Sequence, residues 1–349
     1  MKVLGLISSP SDPASRFRIM QYEPLLKEQG IEVMPRYYKP YRDADPSGWM
    51  KQLQRLSGIN EWRTSNTLKL LARLPLLIQQ HRYDLIWQNR LLLPYHTLFE
   101  RKYTTPLCFD MDDAVWLNEG ETQLGKVLEN ASLVFAGNEY LADFAFKKNK
   151  NTFIVHTPVD TDLFKPSTER SATDTPFTLG WIGSAGNLKY LEQIRPVLLE
   201  FLRKYKSTRL IIVSSVMPAG FPFDNERILF REWDATNEPG IVQSFSAGLM
   251  PLEDTPYTRG KCSFKMLQYM ACGVPVVVSP VGMNKMLLEK KDIGLGAQTA
   301  ADWMNAFEKL LHAPGYCQVA GANGRLITEE EFALKEYANV VAEHFKKIC

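Results

Sequence analysis

The chain has 349 residues, 45% of them apolar and 23% charged, with a formal net charge of +2. That length suits two domains with a core each, and the near-balanced charge argues against a nucleic-acid or polyanion partner. Five scattered cysteines (Cys108, Cys262, Cys272, Cys317 and Cys349) form no CxxC or framework spacing, which points to a reduced, cytoplasmic setting.

The opening KVLGLIS (2–8) is apolar but turns polar at once. It reads as a first buried strand rather than a signal peptide. SRFRIMQYEPLLKEQG (15–30) has a helical pattern ending at Gly30, and IEVMPRYY (31–38) is strand-like. A long helical region covers 46–82. YDLIWQN (83–89), PLCFDMD (106–112), SLVFAGN (132–138) and TFIVHTP (152–158) are further strands with helices between most of them. A polar, proline-flanked linker spans 165–176. The rhythm restarts with FTLGWIG (177–183), a helix over 187–206, then TRLIIVSS (208–215), ERILFREW (226–233), AGLMPLE (247–253), RGKCSFKMLQYMACGVPVVVS (259–279) and IGLGA (293–297). The tail from 328 is helical, with Phe332, Tyr337, Val340, Val341 and Phe345 as its apolar face. Strands alternating with helices imply parallel sheets covered on both faces. The expected fold is α/β, two tandem doubly wound domains, 1–165 and 166–327, with a final helix over 328–349. Such domains bind ligands beyond the carboxyl ends of their strands.

No stretch approaches the roughly 18 apolar residues of a membrane span. Segment 36–82 carries nine Lys/Arg against three Asp/Glu, with Trp49 and Trp62 interleaved. It reads either as a solvated helical face or as a peripheral contact with an anionic bilayer, at the inner face of the cell membrane.

Four loops carry candidate chemistry. In 259–279, Ser263 is placed to cap a helix whose first turn holds Phe264, Lys265 and Met266. Lysine in a first turn opposes the helix dipole, and an anion docked there removes the conflict. Lys261 adds a second positive charge. The alternative is a solvated lysine on an ordinary helix. Gly273 ends that helix, and Pro275 enforces an extended entry to a strand. In 179–191, Gly183 and Ser184 open a small-residue turn that admits a ligand close to the backbone, with Lys189 near the helix start. It also reads as a plain strand–helix turn. In 109–116, Asp110, Asp112 and Asp113 crowd a strand end, as a general base with an orienting carboxylate, a metal site or a cap cluster. In 8–18, Arg16 and Arg18 are within reach of a ligand or sit on an exposed helix start. His156 is read either as a site residue or as a structural histidine. The histidines show no metal spacing.

These stretches resemble the GT-B glycosyltransferases of the group 1, family-4-like class. QYMACGVPVV (268–277) is similar to that class's donor motif, VFAGNEYLADFA with NTFIVHTPVDTDLF to the end of its first domain, and LGWIGSAGNLKYLEQI to its restart. The resemblance implies two Rossmann-like domains facing a cleft, with the final helix crossing back to the first. It implies a nucleoside diphosphate sugar on the C-terminal domain and a glycan, lipid-linked or small-molecule acceptor on the N-terminal one. Carried over, the amides at 262–264 (Cys262, Ser263, Phe264) take the diphosphate with Lys261 and Lys265. Gly183, Ser184 and Lys189 take the second phosphate-facing loop. Gln268 contacts the donor ribose, and Asp112 is the carboxylate nearest the reacting centre, with Asp110 orienting it and Asp113 beside it. Arg16, Arg18 and His156 fall on the acceptor side. Two departures stand out: the class's paired glutamates fall here on Gly260 and Gln268. The expected activity is metal-independent, cofactor-free hexosyl transfer with retention, in surface glycan or glycolipid assembly. The rivals are a sugar-nucleotide epimerase and a non-catalytic nucleotide-binding scaffold of the same fold.

Overall fold

The computed structural model describes residues 1–10, 12–37, 74–93, 96–168, 176–223 and 225–349. Residues 38–73, most of the basic segment 36–82, and 169–175 of the linker lie outside them.

The chain divides into two compact units, one built from 1–157 and 335–349, the other from 158–334. The first holds a parallel sheet in the order β2-β1-β3-β4-β5-β6. Its strands are β1 Lys2–Ile7, β2 Glu32–Tyr37, β3 Leu85–Asn89, β4 Leu107–Met111, β5 Leu133–Ala136 and β6 Thr152–Ile154. The second holds a parallel sheet in the order β12-β11-β10-β7-β8-β9. Its strands are β7 Phe177–Ile182, β8 Thr208–Ser214, β9 Ile228–Glu232, β10 Ala247–Met250, β11 Val276–Val278 and β12 Gly294–Gly296. Every residue of β3, β4 and β7 is buried, as expected where helices cover both faces of a sheet. Pro35 is tolerated in β2 because β2 is an edge strand.

Prolines explain where the observed helices are shorter than their periodicity predicts. The helix expected over 15–30 is split into Pro13–Arg18, a 3-10 turn and Glu23–Glu28, with Pro24 in the first turn of the last piece. The helix expected over 187–206 breaks at Ile194, where Pro196 opens Arg195–Lys204. Proline has no N–H to bond back to the preceding turn and its ring crowds the carbonyl four residues earlier, so it is accepted in a first turn and opens a new helix instead of continuing one.

The domain boundary falls at 157/158 rather than 165/166. Arg325 explains the difference, because its guanidinium donates to the carbonyls of Thr161, Phe164 and Ala271 and ties 158–165 into the second unit. The tail also divides later than 328. Helix Pro314–Glu331 ends at Phe332, and Val159 exchanges backbone bonds with Phe332 and Leu334. Phe332 therefore packs in the second unit's core. Of the tail, only residues 335–349, the last helix from its second residue on, belong to the first unit, where Phe345 sets its ring edge-on to Trp87 with centroids 5.1 Å apart. Val341 and Phe345 are fully buried, whereas Val340, assigned to the same face from sequence, is 37% exposed.

Candidate functional site

In the second unit the first strand, β7, lies beside the fourth, β10. The strand order reverses there, so the loops after these two strands diverge and leave a crevice at their carboxyl ends. One loop begins at Gly183. The other runs to helix Phe264–Ala271.

The structure brings these loops together. Lys265 Nζ lies over the Trp181 ring, 4.7 Å from its centroid. A Cβ added at Gly183 would sit 2.9 Å from Lys265 Nζ and 2.7 Å from the Trp181 ring. Glycine is therefore required by the close approach. Tyr269 locks the same helix to β7: its hydroxyl receives the Ile182 amide at 3.1 Å and donates to the Leu249 carbonyl at 3.3 Å. At its far end the helix closes as the sequence predicts. Gly273 is left-handed (φ 67°), Val274 N–H bonds to Tyr269 and Gly273 N–H to Met270, the paired bonds of a Schellman ending.

Burial, with Lys261 adding like-charge repulsion, pulls the Lys265 ammonium down to a pKa of about 7. Lys261 Nζ lies 5.1 Å from the Tyr257 ring centroid. No carboxylate within ion-pair distance of Lys265 is found among the described residues. First-turn amides, a glycine turn and two cations thus converge, an arrangement suited to a diphosphate.

Three residues of the expected cradle differ from the sequence reading. Ser263 does not cap the helix with its side chain; it sits in left-handed backbone, φ 51° and ψ 23°, and its Oγ donates to Asn284 instead. Lys189 is exposed, 5.0 Å from the Tyr190 ring centroid, and no contact joins it to Lys265. Gln268 is 2% exposed, and its Nε2 donates to Glu238 Oε1 at 2.9 Å. Glu238 opens a neighbouring helix, Glu238–Gln243, and sets its buried carboxylate against position 268. Ser184 is exposed, while Cys262 is buried and Phe264 half-buried.

In the first unit Asp110, Asp112 and Asp113 do stand at the end of β4, but they divide in role. Asp110 is buried, with Oδ1 2.8 Å from both Arg18 Nε and Nη2, and Oδ2 receiving Trp87 Nε1 at 3.0 Å. Burial pushes its carboxyl up to about 6, against the pull of Arg18. With both oxygens held by other groups, Asp110 does not orient Asp112. Arg18 is equally buried, and it also donates to Val155 carbonyl and Thr157 Oγ1. It is an internal strut that ties the first helix to β4 and to the segment 155–157 after β6. Asn89 orients Asp112 instead, donating from Nδ2 to Oδ1 at 3.2 Å. Arg90 lies 3.7 Å from Asp112 and 3.1 Å from Asp113. That guanidinium compensates the crowded charge, and Asp112 remains 14% exposed. Arg16 is half-buried, its guanidinium 4.6 Å from the Phe17 ring centroid. His156 Nδ1 lies 3.0 Å from the Gly137 carbonyl, an acceptor only, so that nitrogen carries the proton. Its Nε2 is 3.9 Å from Glu139.

Among the described residues, no group of three or more His, Cys, Asp or Glu is placed to hold a metal ion. No helix among them is long and apolar enough to cross a membrane. Sequence reading missed Asn89, Arg90, Glu238 and Asn284. Only Arg90, next to a strand end in a chain with three nearby aspartates, left a usable signal.

Comparison with known proteins bears on the fold. Residues 177–313 match the family model described as glycosyl transferases group 1, which bears out the resemblance across the second unit. No curated protein matches the sequence. Among solved structures, sucrose-phosphate synthase from Thermosynechococcus elongatus is similar over 100% of this chain and 99% of its own, at 18% identity and a TM-score of 0.74. Anabaena HepE in complex with UDP-glucose is similar over 99% of this chain and 100% of its own, at 16% identity and a TM-score of 0.66. A glycosyltransferase from Rickettsia africae is similar over 99% and 98%, at 12% identity and a TM-score of 0.67. At these identities the likeness establishes the fold, two Rossmann-like units of the GT-B class.

Proposed function

We propose that this chain, a glycosyltransferase by the group 1 unit it carries over 177–313, moves a hexosyl group from a nucleoside diphosphate sugar to a hydroxyl acceptor. The observation that supports the reading best is the convergence of Lys265 with Gly183 where β7 and β10 part. The leaving diphosphate gains negative charge as the glycosidic bond breaks. Amides and cations already aimed at it stabilise that change without reorganising. Removing one such cation should raise the barrier by roughly 2–4 kcal/mol, as the loss of an oxyanion donor does. Lys261 and Lys265 take the charge-balancing part that a metal takes elsewhere. UDP-glucose is the first donor to try, because the HepE structure holds it.

The acceptor side is assigned to the first unit, with Asp112 as the carboxylate at the reacting centre, oriented by Asn89 and balanced by Arg90. Arg16 and His156 remain acceptor-side candidates. Gln268 and Glu238 are assigned together to the donor ribose, whose hydroxyls suit an amide and a carboxylate equally. Retention of configuration, in surface glycan or glycolipid assembly on the cytoplasmic side, completes the reading.

The test is a thermal-shift and product screen with UDP-, GDP-, ADP- and dTDP-sugars. Stabilisation by one donor, with turnover that needs an added acceptor, supports transfer. Turnover of donor alone to an isomeric sugar nucleotide would make the protein an epimerase. Binding with no turnover under any acceptor would make it a scaffold.

A further inference from the structure

Ser263 and Arg90 are the two non-glycine residues with positive φ among the described residues. Left-handed backbone is disfavoured for any residue with a Cβ, so a serine held there needs a reason. The reason is visible in a chain of hydrogen bonds. Ser263 Oγ donates to Asn284 Oδ1 at 2.6 Å. Asn284 is fully buried and donates from Nδ2 to the Ser279 carbonyl at 3.1 Å. That carbonyl only accepts, so the carboxamide has one orientation, with Oδ1 turned to Ser263. Ser279 Oγ in turn receives the Leu252 amide at 3.0 Å. The first and last links join the segment after β10 to the segment after β11, two strands paired in the sheet, and the middle one ties the latter segment together.

We infer that Asn284 is a positioning residue whose carboxamide holds Ser263 in the left-handed turn that aims the first amides of helix Phe264–Ala271, and Lys265 behind them, at the donor diphosphate. This rests on the diphosphate reading above. The mechanism has a specific signature. Glycine takes left-handed backbone without a hold, so a glycine at 263 should make Asn284 dispensable for binding, whereas alanine needs the hold and lacks the hydroxyl.

The experiment titrates UDP and inorganic pyrophosphate into the wild type, Ser263→Gly, Ser263→Ala, Asn284→Ala and Ser263→Gly/Asn284→Ala, with melting temperatures recorded for each. Ser263→Gly should bind within about threefold of wild type, and Ser263→Ala and Asn284→Ala about tenfold more weakly, the scale of one misplaced left-handed residue. The double variant should recover to within about threefold of Ser263→Gly, whatever its melting temperature. A purely structural Asn284 would weaken binding equally in both backgrounds, and that result overturns the inference. If Asn284→Ala does not fold, the Ser263 pair decides, and equal binding by the glycine and alanine variants overturns it. A wild type that binds neither probe overturns the diphosphate reading itself, and this inference with it.

Discussion

Lys265 holds its ammonium 4.7 Å from the centre of the Trp181 ring, although the two residues come from segments, a helix and a strand, that sequence reading treated separately. The contact matters for charge. An indole face stabilises a cation by about 0.5–2 kcal/mol, yet burial and Lys261 together still lower the Lys265 pKa to about 7. The site therefore holds a lysine that is only partly charged near neutrality, waiting for an anion to complete it.

Docking of a diphosphate should restore the Lys265 proton. With a folded pKa lowered to about 7, Lys265 is charged below that pH and increasingly neutral above it. Binding of UDP at pH 8 should take up a proton, and affinity should fall as pH rises from 7 to 9. Calorimetry in two buffers of different ionisation heat measures the uptake. Lys265→Ala should abolish it and weaken binding; uptake unchanged in that variant would remove Lys265 from the site.

Gly183→Ala should damage the crevice from the other side. The new Cβ meets the Trp181 ring at 2.7 Å, and Trp181 is 1% exposed and has little room to move. Overpacking of this kind typically costs about 1–3 kcal/mol. The variant should unfold at lower denaturant and bind UDP at least about tenfold more weakly, since Lys265 must also shift. Unaltered affinity would show that the glycine serves packing alone.

Restoring the motif glutamate should harm this chain. Gln268→Glu sets a second carboxylate against buried Glu238, at a contact now 2.9 Å long. Two acids there cannot both ionise, and the cost should be about 2 kcal/mol of stability. Glu238→Gln in the same chain recreates an acid–amide pair and should recover most of the loss. A single variant as stable as wild type would refute the transposed pair.

Arg18→Leu should destabilise the first unit by about 3–5 kcal/mol by leaving Asp110 buried without its cation, read by chemical denaturation. The sign with pH is specific. Burial already raises the Asp110 pKa to about 6, and losing Arg18 raises it further. The folded variant then binds a proton that the unfolded chain releases above about pH 4. Its stability should rise as pH falls, and because wild-type Asp110 gains a proton likewise below about 6, the deficit should narrow above that pH and level off below it. A deficit independent of pH would mean that lost packing, not stranded charge, is the cause.

Strand identity and the parallel, doubly wound class were legible because continuous apolar runs separated by helical periodicity leave few arrangements. Gly273 announced its own left-handed helix ending, and Lys265 declared itself by opposing a dipole. Other features depend on contacts between distant segments. Nothing near Ser263 in sequence reveals Asn284, and nothing near Gln268 reveals Glu238. Asp110 and Asp112 look alike in FDMDD, yet one meets Arg18 at a distance of 92 residues and the other meets Asn89. Burial chose between them, and burial is set by the whole sheet.

The return of the last helix to the first unit sets a timetable for synthesis. Gln29 donates to Asn339 across 310 residues of chain, and Phe345 covers Trp87 and Phe135. The first sheet ends at Ile154 and the covering helix at Ile348, so at about 5–20 residues per second the ribosome would leave that sheet uncovered for roughly 10–40 s. The second unit, continuous from 158 to 334, carries no such delay and can close while its predecessor still waits. A nascent chain stalled before Leu334 should therefore expose the aromatic face around Trp87 to chaperones and proteases, and release past Ile348 should hide it.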